Sequence, residues 1–267
     1  MGLTPALQCG GRRYCASAMV LYQEYPPCPA LAPYVACLWT CLVYAQVQPT
    51  AHRVLPDNCI DILWQDSQPL GGVAGMMSTA IAVPMHAPVR TLAVRFKPGA
   101  AAHFFPLPLH ELIDLHPALD DLWEAGEAAR YADALWSRPL TDRQALATIE
   151  QLLLARVRQT APRAGMVEAA LEAIARSHGA VRIETLAASL GVSRQHLASQ
   201  FRARVGLPAK LFARVCRFQH ASAAIRESTT PDLASLALSC GYYDQPHMAH
   251  EFRELSGSTP QAFAAPA

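Results

Sequence analysis

An internal repeat in the last third of the chain is the feature that most constrains its fold. The paired positions of the two copies are Leu186 and Leu236, Ala187 and Ala237, Gly191 and Gly241, Leu197 and Met248, Phe201 and Phe252, Gly206 and Gly257, and Phe212 and Phe263. The offset is 50 residues up to the glycine and 51 beyond it, so the second copy has one extra residue just after its glycine. A repeat of this length indicates one supersecondary unit built twice.

The spacing inside each copy predicts a helix-turn-helix unit. Ala187 is small enough to let two helices approach, Gly191 supplies the positive φ of the turn without steric cost, and Leu197 faces back to the core. The second copy meets the same needs at matching positions. Two such triplets at nearly constant spacing favour a DNA-binding domain, and the alternative is a helical bundle that merely contains two tight turns.

Periodicity and capping residues place helices throughout the C-terminal part. The predicted ranges are 166–177, 183–189, 194–204, 208–227, 233–239 and 245–256, and a short closing turn is predicted at 260–264. Ser193, Asp232 and Asp244 are predicted N-caps, and Pro208 and Pro246 suit the first turn of a helix. The helix between the two copies has roughly 20 residues, hence a length of about 30 Å. This is close to the ~34 Å that separates successive major-groove openings on one DNA face.

The first half of the chain has the short alternating segments of an antiparallel sheet or small barrel. Strands are predicted at 34–44, 60–64 and 89–96, followed by helices at 109–115, 119–123, 128–136 and 141–158. Thr141 or Asp142 is the predicted N-cap of the last of these helices. The predicted fold class is therefore α+β: an N-terminal sheet or barrel with helices, then an all-α domain of two helix-turn-helix units joined by a linker helix.

Composition divides the chain further and excludes several classes of protein. Residues 1–18 are predicted to be a disordered leader, with Met19 as the natural start. Residues 19–160 are predicted to form a sensing or dimerisation domain. After a linker at 160–165, residues 166–265 are predicted to form the DNA-binding domain. The chain has no uninterrupted apolar run of 18 residues and no secretory signal, so we expect a cytoplasmic protein without a membrane partner.

Basic residues cluster in the repeat region. No acidic residue lies between Glu184 and Glu227. The basic residues in this window are Arg194, Arg202, Arg204, Lys210, Arg214, Arg217 and Arg226. A run of one sign on helices favours an anionic partner such as the DNA backbone, and the alternative is a solvated helix face.

The cysteines do not form a recognisable metal motif. The eight are Cys9, Cys15, Cys28, Cys37, Cys41, Cys59, Cys216 and Cys240. None belongs to a Cys-x2-Cys pair, and a cytosolic chain keeps its thiols reduced. Cys37 and Cys41 share one side of a predicted strand, so a metal- or thiol-responsive sensor that uses them with His52 is an alternative to buried, inert thiols.

Enzymatic activity is not expected from the motifs of this chain. His103, His110 and His116 lack metal-ligand spacing, and the sequence has neither a nucleophile elbow nor a phosphate-binding glycine loop. No cofactor or metal is predicted. Trp39, Trp64 and Tyr44 either line an apolar small-molecule site in the predicted barrel or fill its core.

The stretches Leu186–Phe201, Cys240–Phe252 and Gly257–Phe263 resemble the AraC/XylS family of bacterial transcription regulators. More faintly, the stretches Tyr34–Trp39, Leu55–Asp61 and Phe96–Gly99 resemble an N-terminal domain of poorly defined role that is attached to some members. The resemblance implies a DNA-binding regulator with two helix-turn-helix units and a linker helix. The partners that it implies are double-stranded DNA, RNA polymerase for an activator, and a small-molecule effector, with the protein a monomer or homodimer.

The resemblance also implies which residues contact DNA. In the first unit and the linker helix they are Ser193, Arg194, Gln195, His196, Ser199, Gln200, Arg202, Lys210 and Arg214; in the second unit they are Asp244, Gln245, His247, His250 and Arg253. Gln195 is suited to pair with adenine, and Lys210 and Arg214 are expected to contact phosphates. Because Pro246 replaces a polar residue, we expect the first unit to determine specificity and the second to adjust register or recognise DNA shape.

Overall fold

The computed structural model describes residues 13–15, 20–44, 50–85, 88–157, 165–228 and 231–264. Most of the predicted leader and of the predicted linker lies outside the described residues. Within the leader, Arg13–Cys15 form a short strand. The described strands are β1 (Arg13–Cys15), β2 (Val20–Tyr25), β3 (Val35–Val43), β4 (Thr50–Val54), β5 (Asp61–Gln65), β6 (Gln68–Ala74), β7 (Ile81–Met85) and β8 (Val89–Phe96).

Six of these strands form one antiparallel sheet in the order β1-β2-β3-β8-β5-β6, and β4 pairs with β7 in a separate ribbon. Leu38, Val94 and Ile62 lie opposite one another on the central strands and are fully buried. The strands predicted at 34–44, 60–64 and 89–96 are confirmed as β3, β5 and β8. The predicted antiparallel sheet is therefore present.

Two α-helices cover the apolar face of this sheet. They are α1 (Glu127–Trp136) and α2 (Asp142–Arg156). The ring of Tyr131 on α1 stacks on the buried Trp64 of β5, with 5.6 Å between ring centroids. Thr141, not Asp142, is the N-cap of α2, and it forms a capping box with Gln144.

The helices predicted at 109–115 and 119–123 are wrong. The chain forms only short 3-10 helices there, at Leu109–Leu112 and Leu119–Asp121, after another at Ala100–His103. Pro106, Pro108 and Pro117 interrupt this region. Proline has no N–H to donate and disfavours helical backbone in the residue before it, so no α-helix extends across these positions.

The C-terminal part is entirely helical where it is described. Its helices are α3 (Met166–Arg176), α4 (Ile183–Ser189), α5 (Arg194–Val205), α6 (Ala209–Glu227), α7 (Leu233–Ser239), α8 (Gln245–Ser256) and α9 (Pro260–Ala264). Each bound agrees with its prediction to within one residue. Pro208 is the N-cap of α6 and not part of its first turn. None of the helices in the described ranges combines the length and the apolar character that a membrane crossing requires.

The N-terminal and C-terminal parts share buried contacts. The C-terminal end of α5 packs against the 3-10 helices, and Val205 and Leu207 belong to the same apolar cluster as Leu109. Leu55, which follows β4, instead joins the cluster built around Phe218 of α6. Each helix-turn-helix unit therefore lies against a different portion of the N-terminal part.

Candidate DNA-binding surface

The two turns of the repeat have the same backbone hydrogen bonds. In the first, the N–H of Gly191 donates to Ala188 O at 3.1 Å and the N–H of the next residue donates to Ala187 O at 3.1 Å. In the second, Gly241 N–H donates to Leu238 O at 3.1 Å and the next N–H donates to Ala237 O at 2.9 Å. Both glycines have positive φ, 67° and 81°. The sequence repeat is thus a repeat of three-dimensional structure.

The aromatic residues that follow each turn also pair in the same way. Phe201 and Phe212 meet edge to face with 5.5 Å between centroids, and Phe252 and Phe263 do so at 5.4 Å. Phe201 and Phe252 are both fully buried. Each pair joins the second helix of its unit to the helix that follows. The contact between α5 and α6 in the first unit is therefore repeated between α8 and α9 in the second.

Alanine at the two turn glycines should destabilise the protein to different extents. Gly191→Ala is expected to lower the free energy of unfolding by about 1–2 kcal/mol, because only the left-handed backbone opposes it. Gly241→Ala is expected to lower it further, since a methyl group there would lie 2.8 Å from the Cβ of Ala180, whereas position 191 is open. Urea unfolding of both variants measures the difference, and equal losses would contradict this interpretation.

The capping residues fix where the extra residue of the second unit lies. Ser193 Oγ accepts the N–H of His196 at 3.1 Å, and Asp244 Oδ1 accepts the N–H of His247 at 2.7 Å. Between turn and cap, the first unit has only Val192, whereas the second has Tyr242 and Tyr243. Tyr242 is buried, but Tyr243 is 85% exposed. The predicted site omitted Tyr243, although the change in offset was the signal that could have found it.

The predicted contact residues of the first unit all lie on the exposed side of α5 and its N-cap. They are Ser193, Arg194, Gln195, His196, Ser199, Gln200 and Arg202, and each is exposed. Leu197, Phe201 and Val205 turn into the core. The N-terminal half of α5 therefore presents polar side chains to solvent, while its C-terminal end packs against the 3-10 helices.

In the second unit the predicted residues are not equally available. His250 and Arg253 are exposed, whereas Gln245 and Asp244 are half-buried. His247 is engaged on both ring nitrogens. Its Nδ1 accepts the N–H of Tyr243 at 3.1 Å, and its Nε2 lies 3.5 Å from Glu251 Oε1. His247 therefore also stabilises the turn, and its contact with DNA stays a prediction.

Most of the basic residues of the acid-free window pair with carboxylates from outside it. Arg194 pairs with Glu184 at 2.9 Å on the surface, and Arg204 pairs with Glu168 of α3. Arg214 contacts both Glu251 and Glu254 of α8. Arg217 contacts Glu251 at 2.7 Å. The basic run in the sequence is therefore largely neutralised in the fold, and Lys210 and Arg202 remain exposed. A phosphate contact by Arg214 stays a prediction.

A buried joint connects the loop after β4 to α6. Asn58 is 4% exposed, and its Nδ2 donates to Phe212 O at 2.9 Å and to Cys216 Sγ at 3.3 Å. Gln219 donates to the carbonyl of Pro56. Asn58 and Pro56 belong to the stretch Leu55–Asp61. The sequence drew attention to this stretch but did not indicate that it contacts α6.

Two further contacts extend this joint to the second unit. Arg53 Nη1 donates to Ser258 Oγ at 2.6 Å, and the N–H of Ala80 donates to Leu255 O at 2.8 Å. The loop itself is held on the sheet by Arg95, which contacts Asp61 at 2.9 Å and Asp57 at 3.3 Å. Burial alone would lower the pKa of Arg95, but the neighbouring carboxylates of Asp61 and Asp57 outweigh it and hold the pKa well above its ordinary value, so this anchor stays charged.

The described cysteines are not gathered into a group of metal ligands, and the metal- or thiol-responsive sensor stays a prediction. Burial raises the pKa of the Cys41 thiol to about 11 and that of Cys59 well above its ordinary value, so both stay protonated near neutral pH. In the part of the chain that the structure describes, no three His, Cys, Asp or Glu side chains are grouped as metal ligands. Cys9 and the side chain of Cys15 lie outside the described residues.

The three aromatic residues considered for a small-molecule site have different environments. Trp64 is fully buried against Tyr131 and fills the core. The indole N–H of Trp39 donates to Asp61 Oδ2 at 3.1 Å. Tyr44 is 40% exposed. They do not line one common site.

Comparison with known proteins supports the assignment of the C-terminal part. Residues 186–265 match the family model described as a helix-turn-helix domain, and residues 23–118 match a domain of unknown function, DUF6597. No curated protein sequence matches this chain. The chain is also similar to solved structures of three bacterial proteins, all at low identity and low TM-score.

The first is a transcriptional regulator with an AraC-type DNA-binding domain from Chromobacterium violaceum: 20% identity over 37% of this chain and 88% of that one, TM-score 0.34. The second is the C-terminal domain of AraT, a response regulator from Geobacillus stearothermophilus: 20% identity, 40% and 87%, TM-score 0.36. The third is ToxT from Vibrio cholerae: 8% identity, 91% and 97%, TM-score 0.42.

The family match and the duplicated turns lead to one conclusion for the C-terminal part. Residues 186–265 match a helix-turn-helix domain family, and the duplicated turns show that they contain two such units. Residues 23–118 match the domain of unknown function and include the strands β3 to β8. The AraC-type resemblance predicted from the sequence is confirmed.

Proposed function

We propose that this chain regulates transcription by placing α5 and α8 in two successive major grooves of double-stranded DNA. The observation that carries the proposal is the repetition of turn, N-cap and aromatic pair at both ends of α6. This helix has 19 residues, so its length is about 28 Å. Successive major-groove openings on one face of DNA are ~34 Å apart, which two units joined in this way can span.

The N-terminal half of α5 is the part of the surface best suited to base readout. Arg194 and Gln195 are exposed at the start of the recognition helix, where such helices contact base edges. A glutamine amide matches the donor and acceptor edge of adenine, and a guanidinium matches guanine. Ala198 and Ser199 are short, so they add only a thymine-methyl contact or a short hydrogen bond.

Gln195→Ala and Arg194→Ala test the proposed function. DNA sites are first selected from a random-sequence library with the purified full chain. Each substitution is expected to weaken binding to the selected site about tenfold or more, because a good bidentate contact contributes about 1–3 kcal/mol of discrimination. Affinity for unrelated DNA should change much less, since phosphate contacts dominate non-specific DNA binding. Fluorescence anisotropy at several salt concentrations measures both affinities.

The chain offers matched controls for both substitutions. Arg176 on α3 is as exposed as Arg194 and also pairs with a surface glutamate, with side-chain exposures of 70% and 69% for the two arginines. Gln151 is an exposed glutamine on α2. Arg176→Ala and Gln151→Ala should leave both affinities unchanged. Failure to select any DNA sequence, or equal losses on specific and unrelated DNA, would overturn the proposal.

The N-terminal part, in this proposal, modulates DNA binding through the joint around Asn58. It contacts the first unit at the C-terminal end of α5 and the second unit through Ala80 and Arg53. A shift of the loop that carries Asn58 would therefore change the relative placement of the two units. A small-molecule effector bound to the N-terminal part would act along this route.

A further inference from the structure

The extra residue of the second unit stands at the edge of the DNA-binding surface. The backbone hydrogen bonds of the two turns correspond as far as Val192 in one unit and Tyr242 in the other, and the N-caps are equivalent. The added residue is therefore Tyr243, which has no counterpart in the first unit. Tyr243 is 85% exposed, which is more than any other large hydrophobic residue that the structure describes.

His247 fixes the backbone of this extra residue. Its Nδ1 accepts the N–H of Tyr243, so the proton of a neutral ring lies on Nε2, which faces Glu251. The ring of His247 also packs edge-on against Tyr242, with 5.5 Å between centroids. The hydrogen bond to His247 thus fixes the backbone conformation of Tyr243, and its phenol ring lies exposed to solvent beside the start of α8.

We infer that Tyr243 contacts the DNA backbone, with its hydroxyl donating a hydrogen bond to a phosphate oxygen at the edge of the groove that α8 enters. Tyrosine is one of the neutral side chains that bind phosphates in protein–DNA complexes. The residue precedes the N-cap, so it lies outside the helix and toward the flank of the groove. Pro246 offers no polar side chain at the next exposed position, and Asp244 is occupied as a cap.

His247 is then a positioning residue, which acts through the backbone of Tyr243. This assignment differs from the direct contact that the sequence predicts for His247. It also gives the second unit a contact that is independent of base identity. Such a contact agrees with the expectation that the second unit adjusts register while the first determines specificity.

Tyr243→Phe tests this inference, which rests on the DNA-binding function proposed above. Removal of the hydroxyl is expected to weaken binding to the selected site and to unrelated DNA by the same factor, about fivefold, as for the loss of one hydrogen bond. Because the lost donor is uncharged, the salt dependence of binding should not change. Tyr44→Phe is the matched control and should bind as the unaltered chain does.

A double-substitution cycle tests the role assigned to His247. His247→Ala should weaken DNA binding about as much as Tyr243→Phe, and the pair together should lose little more than either alone. Additive losses would overturn the positioning role. If Tyr243→Phe binds normally, the phosphate contact is overturned, whether or not Tyr243→Ala is weakened. If the unaltered chain selects no DNA sequence, the proposed function itself fails, which is a different outcome.

Discussion

Replacing Glu251 with alanine is expected to lower the free energy of unfolding by about 3–5 kcal/mol, as for the removal of one partner from a buried ion pair. Glu251 is 4% exposed, and its Oε1 accepts from Arg214 Nε at 2.9 Å and from Arg217 Nη2 at 2.7 Å. Both arginines lie on α6. Without the carboxylate, two guanidinium groups would stay at the packed contact between α6 and α8 with one charge uncompensated.

Glu184→Ala is the matched control for this prediction. Glu184 also pairs with an arginine, Arg194, at 2.9 Å, but both side chains are about two-thirds exposed. Surface pairs of this kind contribute about 0–1 kcal/mol. Urea unfolding should therefore separate the two variants clearly. If Glu184→Ala and Glu251→Ala are equally stable, burial does not govern the contribution of these pairs.

Glu251→Gln separates charge from volume at the same position. The amide retains the size of the side chain and one acceptor oxygen for Arg217 or Arg214. We expect it to lose less stability than Glu251→Ala because no cavity forms, although the charge is absent. A glutamine variant as unstable as the alanine variant would show that the charge alone accounts for the loss.

The same ion pairs show why the charge pattern of the sequence was hard to interpret. The window between Glu184 and Glu227 is free of acidic residues, so it suggested a basic surface. In the fold, Glu251 and Glu254 lie across from Arg214, although they are 37 and 40 residues away in sequence. Side chains on packed helices meet by tertiary contact, which a linear count of charges does not include.

Local signals were interpreted much more accurately. Helix bounds in the C-terminal part follow from N-caps, turn glycines and apolar spacing, all of which act within a few residues. The repeat also predicted two equivalent turns, followed in each copy by phenylalanines at equivalent positions. The same local reasoning failed at 109–123, where apolar spacing suggested helices but Pro108 and Pro117 limit the chain to 3-10 turns.

The contact between the N-terminal and C-terminal parts around Asn58 could not be predicted from the sequence, for a different reason. Asn58 and Phe212 are 154 residues apart, and neither position has a local signal for contact with the other. In the sequence, Asn58 stands out only as part of the stretch Leu55–Asp61, which resembles an N-terminal domain of poorly defined role. Its buried contact with α6 depends on how the sheet and the helices pack, which the sequence pattern does not specify.

Asn58→Ala is expected to lower the free energy of unfolding by about 2–3 kcal/mol. Part of this loss comes from the buried hydrogen bond to the carbonyl of Phe212, which contributes about 1 kcal/mol. The rest comes from the backbone, because Asn58 has a φ of 62°, a conformation that costs other non-glycine residues about 1–2 kcal/mol. Thermal unfolding, followed by circular dichroism, measures the loss.

Asn58→Gly separates the contribution of the hydrogen bond to Phe212 from the cost of positive φ. Glycine adopts the same φ without strain, so this variant should lose only the share due to the amide, about 1 kcal/mol. Asp114→Ala is the matched control, since Asp114 also has positive φ, 57°, but its carboxylate binds Ser78 within the N-terminal part. A glycine variant as unstable as the alanine variant would contradict the share assigned to the backbone.

DNA binding by these variants tests whether the joint around Asn58 controls the placement of the two helix-turn-helix units or only stabilises the fold. If the N-terminal part holds the two units at a fixed separation, loosening Asn58 removes preorganisation, so binding to the selected site should weaken severalfold. Binding to unrelated DNA should hardly change, because single phosphate contacts do not require both units in register. Asp114→Ala should destabilise the protein without this selective loss. If both variants weaken specific binding equally, the effect follows global stability and the joint carries no signal.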